Sequence, residues 1–212
     1  PWEVEHLDEA VALAVDNAVA TRYDRFTDIA DCDLFRIVHG EADGLPGIFV
    51  DRLGPLIRVT TTTRAAHDIR DLVIAKLVNY DPECMILATD RIPRRAISSD
   101  LVHPAGRYLD VSGIHFAREY DRRIPIKPRR LESPGRLIAL RAGRQLLQQS
   151  ISSNSDSTRW LHLAPPADGC LAALGQHNET KVAAAAFDEP SRELARRAWA
   201  AGGADTALLE LI

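Results

Sequence analysis

Cysteine, lysine and long apolar runs are all scarce in this sequence. The three cysteines (Cys32, Cys84 and Cys170) lie far apart, which excludes a disulfide framework and a cysteine-based zinc site and is typical of a reducing compartment. The histidines show no metal-ligand spacing, so we predict no metal site. No stretch reaches the roughly 18 apolar residues that a membrane-spanning helix needs, which excludes a transmembrane protein. We expect a protein of the cytoplasm or of an organellar matrix.

The composition is that of a globular protein. Of the 212 residues, 46% are hydrophobic and 26% are charged, which allows one large domain or two small ones. The sequence begins with Pro1 rather than Met. We therefore expect either a fragment or a chain whose targeting segment has been removed.

Charge is distributed unevenly along the chain. The net charge of −4 argues against a general nucleic-acid binder, but residues 118–144 carry nine basic and three acidic side chains, whereas residues 1–51 carry three basic and twelve acidic ones. Arginine outnumbers lysine 23 to 3, and its planar fork favours bidentate phosphate contacts, although a GC-rich genome also enriches arginine. The basic segment either contacts RNA or pairs with the acidic first fifty residues. The predicted RNA-contact residues are Arg122, Arg123, Lys127, Arg129, Arg130 and Arg136.

Hydrophobic periodicity predicts an α+β domain in the first half of the chain. We assign residues 1–33 to an N-terminal helical segment, because residues 5–21 have helical spacing, and residues 34–121 to a central α+β domain with an antiparallel sheet. Ser112-Gly113 indicates a hairpin turn. The predicted elements of the central domain are strands at 34–38, 47–51, 56–61, 84–89, 108–111 and 114–118, and a helix at 64–80.

The second half of the chain has a different pattern of secondary structure. Residues 122–158 form a basic linker, broken by prolines, followed by a helix at 137–151. In residues 159–212, strands at 160–163, 181–187 and 206–212 alternate with helical segments, which predicts a partial α/β Rossmann-like domain with a parallel sheet. The first of these strands would have an unpaired edge, open to a partner protein or a second copy.

Residues 41–52 read Glu-Ala-Asp-Gly-Leu-Pro-Gly-Ile-Phe-Val-Asp-Arg. This stretch closely resembles the signature of the bacterial-type large-subunit rRNA cytosine-5 methyltransferases. The resemblance covers residues 5–212 and implies an α+β central domain followed by a class I catalytic domain that depends on S-adenosylmethionine (SAM). We expect the chain to lack the family's RNA-binding PUA domain. We also expect it to lack the C-terminal strands that carry the catalytic cysteines, so we predict no catalytic residue within it.

The glycines and acids of this stretch also have a structural interpretation. Gly44 and Gly47 flank Pro46 in a tight turn and are expected to have positive φ. The three acids could serve catalysis or a metal, but turn capping and pairing with Arg36 or Arg52 accounts for them more simply. These acids are Glu41, Asp43 and Asp51.

The cofactor loop implied by the resemblance is altered in this chain. Where the family has a glycine-rich loop, residues 162–170 read His-Leu-Ala-Pro-Pro-Ala-Asp-Gly-Cys. Only Gly169 remains, and the two prolines remove amide donors. Asp188 follows the second strand, where the family has an acid that binds the cofactor ribose, but with the glycine loop altered a role as N-cap or first-turn acid of the next helix is favoured. Gly169 and Asp188 are thus the candidate SAM contacts, and we expect SAM to bind only if this site is intact.

Three functions are consistent with the sequence. The first is an rRNA methyltransferase-like protein without catalytic activity that binds RNA or a ribosomal particle as an assembly or structural factor. The second is an active SAM-dependent rRNA (cytosine-5) methyltransferase of which this chain is a part. The third is a protein–protein interaction module that uses the exposed sheet edge.

Overall fold

The computed structural model describes residues 6–25, 31–103, 112–120, 122–126, 128, 138, 141–142, 145, 160–164 and 182–186. The chain divides into two compact units, Pro1–Val111 and Ser112–Ile212. We call them the N-terminal and the C-terminal unit and describe each by itself.

The N-terminal unit contains a five-stranded sheet and two helices. The chain order is α1 (Leu7–Arg25), β1 (Leu34–His39), a 3-10 turn (Gly40–Asp43), β2 (Ile48–Leu53), β3 (Leu56–Thr61), α2 (Arg64–Tyr80), β4 (Met85–Asp90) and β5 (Ser98–His103). The strands lie in the order β1-β2-β3-β4-β5. The predicted helices and the strands from β1 to β4 are confirmed, with α2 and β3 at the predicted bounds.

The sheet is mixed rather than purely antiparallel. β3 and β4 are parallel, with Leu56 opposite Met85 and Thr61 opposite Asp90, whereas the other three pairs are antiparallel. The prediction of an antiparallel sheet is wrong at this pair, because the 17-residue helix α2 carries the chain back so that β4 runs in the direction of β3. β5 was not predicted.

One face of the sheet packs against both helices. Val11 and Val15 of α1, and Val73 and Leu77 of α2, belong to one buried cluster with apolar strand residues. The strand residues of that cluster include Val38, Ile48, Val50, Ile57, Val59 and Ile86. Alternation along the strands directs these side chains to the same face.

The opposite face of the sheet is buried as well, and it is partly polar. Asp51 lies opposite Arg58 in the register of β2 and β3, and both side chains are buried. Arg58 Nε donates a hydrogen bond to Thr89 Oγ1 at 3.2 Å. Buried Thr60 Oγ1 has no hydrogen-bond partner among the residues that the structure describes. All six residues of β3 are buried, although Arg58, Thr60 and Thr61 are polar.

The C-terminal unit contains a β-hairpin that the sequence did not predict. β6 (His115–Glu119) pairs antiparallel with β7 (Arg122–Ile126). The assignment of Arg122–Ile126 to an irregular linker is therefore wrong, whereas the predicted pairing of β6 with residues 108–111 stays a prediction. Both strands of a two-stranded hairpin are edge strands, in which proline is tolerated, so Pro125 does not prevent pairing. The predicted strand at 108–111 lies outside the described residues.

Two further strands of the C-terminal unit form a parallel pair. β8 (Trp160–Ala164) and β9 (Val182–Ala186) align residue by residue from Trp160 and Val182 to Ala164 and Ala186. This confirms two predicted strands and their parallel direction. Within the predicted helix at 137–151, the four described residues are helical. The predicted strand at 206–212 lies outside the described residues, and the division of the chain into four segments stays a prediction.

Candidate nucleic-acid interface

The turn between β1 and β2 needs glycine at two positions. Gly44 has φ +75° and Gly47 has φ +77°, as the sequence predicted. A Cβ atom on Gly47 would lie 2.8 Å from Thr63 Oγ1, whereas one on Gly44 would meet no atom within 4 Å. The Gly47 carbonyl also accepts a hydrogen bond from the Thr62 N–H at 2.9 Å. This hydrogen bond therefore joins the turn to the segment that leads into α2.

Two acids of the Glu41–Arg52 stretch form ion pairs with arginines. Asp43 accepts two hydrogen bonds from Arg22, at 2.6 and 2.7 Å, and one from the His39 N–H at 2.6 Å. Partial burial raises the pKa of Asp43, but these hydrogen bonds outweigh it and leave the pKa below its usual value. Asp51 pairs with Arg36 at 2.7 and 3.2 Å; burial dominates there and raises its pKa. The predicted pairing of Asp51 with Arg36 is confirmed. Asp43 caps the turn through the His39 N–H as predicted, but its arginine partner is Arg22 rather than Arg36 or Arg52.

The outer face of the β6–β7 hairpin is basic. Arg118 lies directly opposite Arg123 in the register, and both side chains are exposed. The Arg123 guanidinium carbon lies 4.4 Å from the centre of the Phe116 ring. On the inner face Ala117, Ile124 and Ile126 are buried, as alternation along the two strands requires.

The inner face also carries a charged pair. Glu119 is fully buried, and its Oε2 lies 3.6 Å from Arg141 Nε. Arg141 lies within the predicted helix at 137–151, so this contact joins the hairpin to that segment. One acid of the basic segment is thus withdrawn from the surface.

The structure describes only part of the predicted RNA-contact set. Arg123 lies on the exposed face of the hairpin, and the Arg122 backbone belongs to β7. The side chain of Arg122 lies outside the described part of the chain. The same holds for the whole of Lys127, Arg129, Arg130 and Arg136. Their role stays a prediction.

The candidate cofactor residues also lie outside the described residues. β8 ends at Ala164 and β9 ends at Ala186, side by side in the parallel register. Gly169 and Asp188 follow these two strand ends in the sequence. Carboxyl ends of adjacent parallel strands meet at one edge, where Rossmann-like folds bind their ligands. The positions of Gly169 and Asp188 stay predictions.

A polar cluster that the sequence did not reveal lies at the carboxyl ends of β3 and β4. Asp90 accepts hydrogen bonds from Thr61 Oγ1 at 2.5 Å and from Arg70 Nη1 at 3.2 Å. His67 Nδ1 lies 3.1 Å from the same carboxylate. Partial burial raises the pKa of Asp90, but the hydrogen bonds from Thr61 and His67 and the charge of Arg70 outweigh it and lower the pKa. The available signal was the polar residue at the carboxyl end of each of two strands, Thr61 in β3 and Asp90 in β4.

Neither a metal site nor a membrane-spanning helix is found in the part of the chain that the structure describes. No three His, Cys, Asp or Glu residues among the described positions are grouped so that they could hold a metal ion. No described helix has the length and apolar character needed to cross a bilayer.

Comparison with known proteins identifies similar rRNA methyltransferases over a short stretch. The sequence matches no protein-family model. It is 37% identical over 54 residues to ribosomal RNA large subunit methyltransferase I of Salmonella enteritidis, a stretch that covers 26% of this chain and 13% of that protein. It is 35% identical over 72 residues to the protein of that name from Shigella flexneri, covering 34% and 18% of the two chains. The matched stretches thus span less than a fifth of these relatives.

Solved structures are similar over nearly the whole chain. A crystal structure of a protein described as a methyltransferase, in complex with S-adenosylhomocysteine, matches 93% of this chain with a TM-score of 0.66 and 14% identity. A protein from Streptococcus mutans, described as a SAM-dependent methyltransferase, matches 95% with a TM-score of 0.64 and 15% identity. This chain spans about half of each of these structures. The likeness confirms an α/β Rossmann-like methyltransferase fold.

Proposed function

We propose that this chain belongs to an rRNA methyltransferase-like protein that binds large-subunit rRNA and no longer transfers a methyl group. The outer face of the β6–β7 hairpin carries the RNA-binding part of the proposal. It presents Arg118 and Arg123 side by side, with Arg123 stacked over Phe116. A guanidinium that is ordered in this way loses less entropy when it binds phosphate through two N–H groups. The curated relatives, which are rRNA methyltransferases, favour RNA as the polyanion.

The segment after β8 supports the loss of activity. β8 ends at Ala164, and Pro165 and Pro166 follow directly. In Rossmann-like sites the loop after the first strand binds the ligand through its backbone N–H groups, and proline has none. The residues that follow β8 therefore do not fit a SAM molecule that needs these donors.

Salt-dependent RNA binding tests the proposal. We expect the full chain to bind large-subunit rRNA transcribed in vitro, with an affinity that falls as salt rises, because arginine contacts release counterions from the RNA. The triple variant Arg129→Ala, Arg130→Ala, Arg136→Ala should lose at least tenfold in affinity. The matched Lys triple variant should keep most of it, because charge is retained. Equal affinity of the Ala variant and the wild type would refute the predicted RNA contacts.

An active methyltransferase is the second candidate, because the curated relatives carry that activity in their names and one structural neighbour holds S-adenosylhomocysteine. Calorimetric titration with SAM separates the two candidates. If the site is intact, the chain should bind SAM in the micromolar range, and Asp188→Ala should abolish binding because the acid would bind the ribose hydroxyls. Absence of binding at millimolar SAM would favour the RNA-binding protein without methyl transfer.

We also propose that the protein acts on a ribosomal particle as an assembly or structural factor. Its large-subunit relatives support this proposal. Sedimentation of the full chain with purified large-subunit particles should place it in the particle fraction at low salt and release it at high salt. A chain that binds free rRNA but never co-sediments with particles would contradict this role.

A further inference from the structure

Three exposed arginines lie at one end of the sheet in the N-terminal unit. Arg64 is the first residue of α2, which begins three residues after β3 ends. Arg94 and Arg95 lie in the connection between β4 and β5. β3 and β4 are parallel, and Thr61 is aligned with Asp90. The start of α2 and the β4–β5 connection therefore lie at the same end of the sheet, where β3 and β4 finish.

Hydrogen bonds join these two segments. Asp90, the last residue of β4, contacts Thr61, as well as His67 and Arg70 in the first two turns of α2. The Arg91 N–H donates to the Thr61 carbonyl at 2.8 Å. The backbone on either side of the three arginines is thus fixed. We call Arg64, Arg94 and Arg95 the arginine edge.

The arginine edge differs from five other described cations of the unit in that it has no acidic partner among the described residues. Within the described part, each of five other cations forms an ion pair with a carboxylate, and Arg58 is buried. Arg64, Arg94 and Arg95 are all exposed, and none of them pairs with a carboxylate among the described residues. The five paired cations are Arg22, Arg36, Arg52, Arg70 and Lys76.

Two members of the arginine edge also contradict local structural preferences. Arg64 places a positive charge in the first turn of α2, where an acid would be favourable and none is present. Arg94 has φ +66°, a conformation that residues other than glycine rarely adopt. Departures of this kind tend to occur where function rather than stability selects the residue.

The positive charge of the arginine edge is local, because the N-terminal unit as a whole is acidic. Residues 1–111 carry 12 basic and 19 acidic side chains, a net charge of −7. Three exposed acids lie near the edge in sequence, Asp68 and Asp71 on α2 and Asp100 on β5. A fourth, Asp90, is paired with Arg70. A surface with this balance can hold a few phosphates but repels a polyanion elsewhere.

We propose that the arginine edge binds backbone phosphates of RNA, as a contact surface additional to the basic segment at 118–144. This inference rests on the proposed rRNA binding, which identifies the polyanion. Guanidinium groups bind phosphate through two parallel N–H donors. Such contacts position RNA without reading its bases. The two surfaces belong to different units, so each can be removed separately.

The test compares the salt dependence of RNA binding among variants of the full chain. The probe is fluorescently labelled large-subunit rRNA transcribed in vitro, followed by anisotropy. If each arginine neutralises one phosphate, the triple variant Arg64→Ala, Arg94→Ala, Arg95→Ala should reduce the slope of log affinity against log salt by about 2. Its affinity should fall about tenfold or more. The corresponding Lys variant should retain the slope, because the charge remains.

A charge-matched control places the same change in charge on α1. Leu13, Asn17 and Ala20 are exposed there, and Leu13→Glu, Asn17→Glu, Ala20→Glu also makes the chain more negative by three. This stretch flanks Asp16, which contacts Lys76 and Tyr80 near the end of α2 remote from Arg64. The control should alter binding much less than the arginine-edge variant. An equal loss in both would overturn the inference, because net charge alone would then explain it.

Failure of the inference and failure of the proposed function give different results. If the wild type binds RNA and loses binding through Arg129→Ala, Arg130→Ala, Arg136→Ala but not through the arginine-edge variant, the arginine edge is not an RNA contact. If the wild type does not bind RNA at any salt concentration, the proposed function itself is wrong. Circular dichroism should show native folding of the arginine-edge variant, because these exposed side chains pair with no described carboxylate.

Discussion

Individual residues in and next to the β1–β2 turn contribute to stability through different contacts. Gly44 and Gly47 share a left-handed backbone, but only Gly47 lies against another side chain. Asp43 is joined to α1 through Arg22, while Asp51 is joined to its neighbouring strand through Arg36. Each of these residues acts on stability through a different physical cause.

Substituting the two glycines should separate backbone strain from steric crowding. Gly44→Ala carries the left-handed penalty alone and should destabilise the fold by about 1 kcal/mol. Gly47→Ala adds a Cβ that meets Thr63 Oγ1 at 2.8 Å and should cost about 2–3 kcal/mol. Urea unfolding of both variants measures the difference. Equal losses would mean that Thr63 moves away without cost.

Asp43 should make stability depend on pH in the acid range. Partial burial raises its pKa, but the hydrogen bonds from Arg22 and His39 outweigh that effect and hold the pKa below its ordinary value. The unfolded state therefore takes up a proton first, so the contribution of Asp43 to stability is full above its unfolded pKa and is lost as pH falls through the folded one. Asp43→Asn should lose about 1–3 kcal/mol at neutral pH and show a flatter decline in acid. A decline as steep as that of the wild type would assign the effect to other acids.

Whole elements show where local sequence determines structure. α2 has the predicted bounds because Thr63 caps it and its apolar residues recur at helical spacing. β5 was missed because Ser-Ser-Asp-Leu-Val-His does not alternate, and pairing with β4 forms the strand. The β6–β7 hairpin could not be predicted because Pro125 and the basic run indicated a linker, whereas the chain turns after Glu119 at Tyr120, which has φ +57°.

The N-cap of α2 should contribute measurably to stability. Thr63 Oγ1 accepts a hydrogen bond from the Ala66 N–H at 3.1 Å. Thr63→Ala leaves that donor without its partner and should destabilise the protein by about 1 kcal/mol, while Thr63→Ser should restore most of the loss. Thermal unfolding of the two variants provides the comparison. No difference between Ala and Ser would show that another group replaces the cap.

At the scale of the whole molecule, the sequence predicted the fold class better than the site. Periodicity and the Glu41–Arg52 stretch were sufficient for an α/β methyltransferase fold, which the structural comparisons confirm. The partners of charged residues were not predictable, because Arg22 and Asp43 or Arg70 and Asp90 lie about twenty positions apart and meet only in the folded chain. The arginine edge was not predictable either, because Arg64 lies far from Arg94 and Arg95 in the sequence and these residues reach the same end of the sheet only in the folded chain.

Net charge should govern association of the whole chain. The sequence has a pI of about 6.0, so mutual repulsion between chains is weakest near that pH. Light scattering at low salt should show the greatest self-association near pH 6 and less at pH 8. A scattering intensity that does not vary with pH would indicate that apolar contacts, rather than charge, control association.

The parallel pairing of β3 with β4 separates the sheet into parts that we expect to form at different times. β2 and β3 are joined by Gly54-Pro55 and can pair as soon as this two-residue turn closes. Leu56 and Met85 are 29 positions apart, and their pairing must wait until α2 has brought the ends of this loop together. The β3–β4 pairing at the centre of the sheet is therefore expected to form late, because the loop between these strands must close first. The rate at which β4 and β5 are added to the sheet thus depends on α2, a helix that does not belong to the sheet.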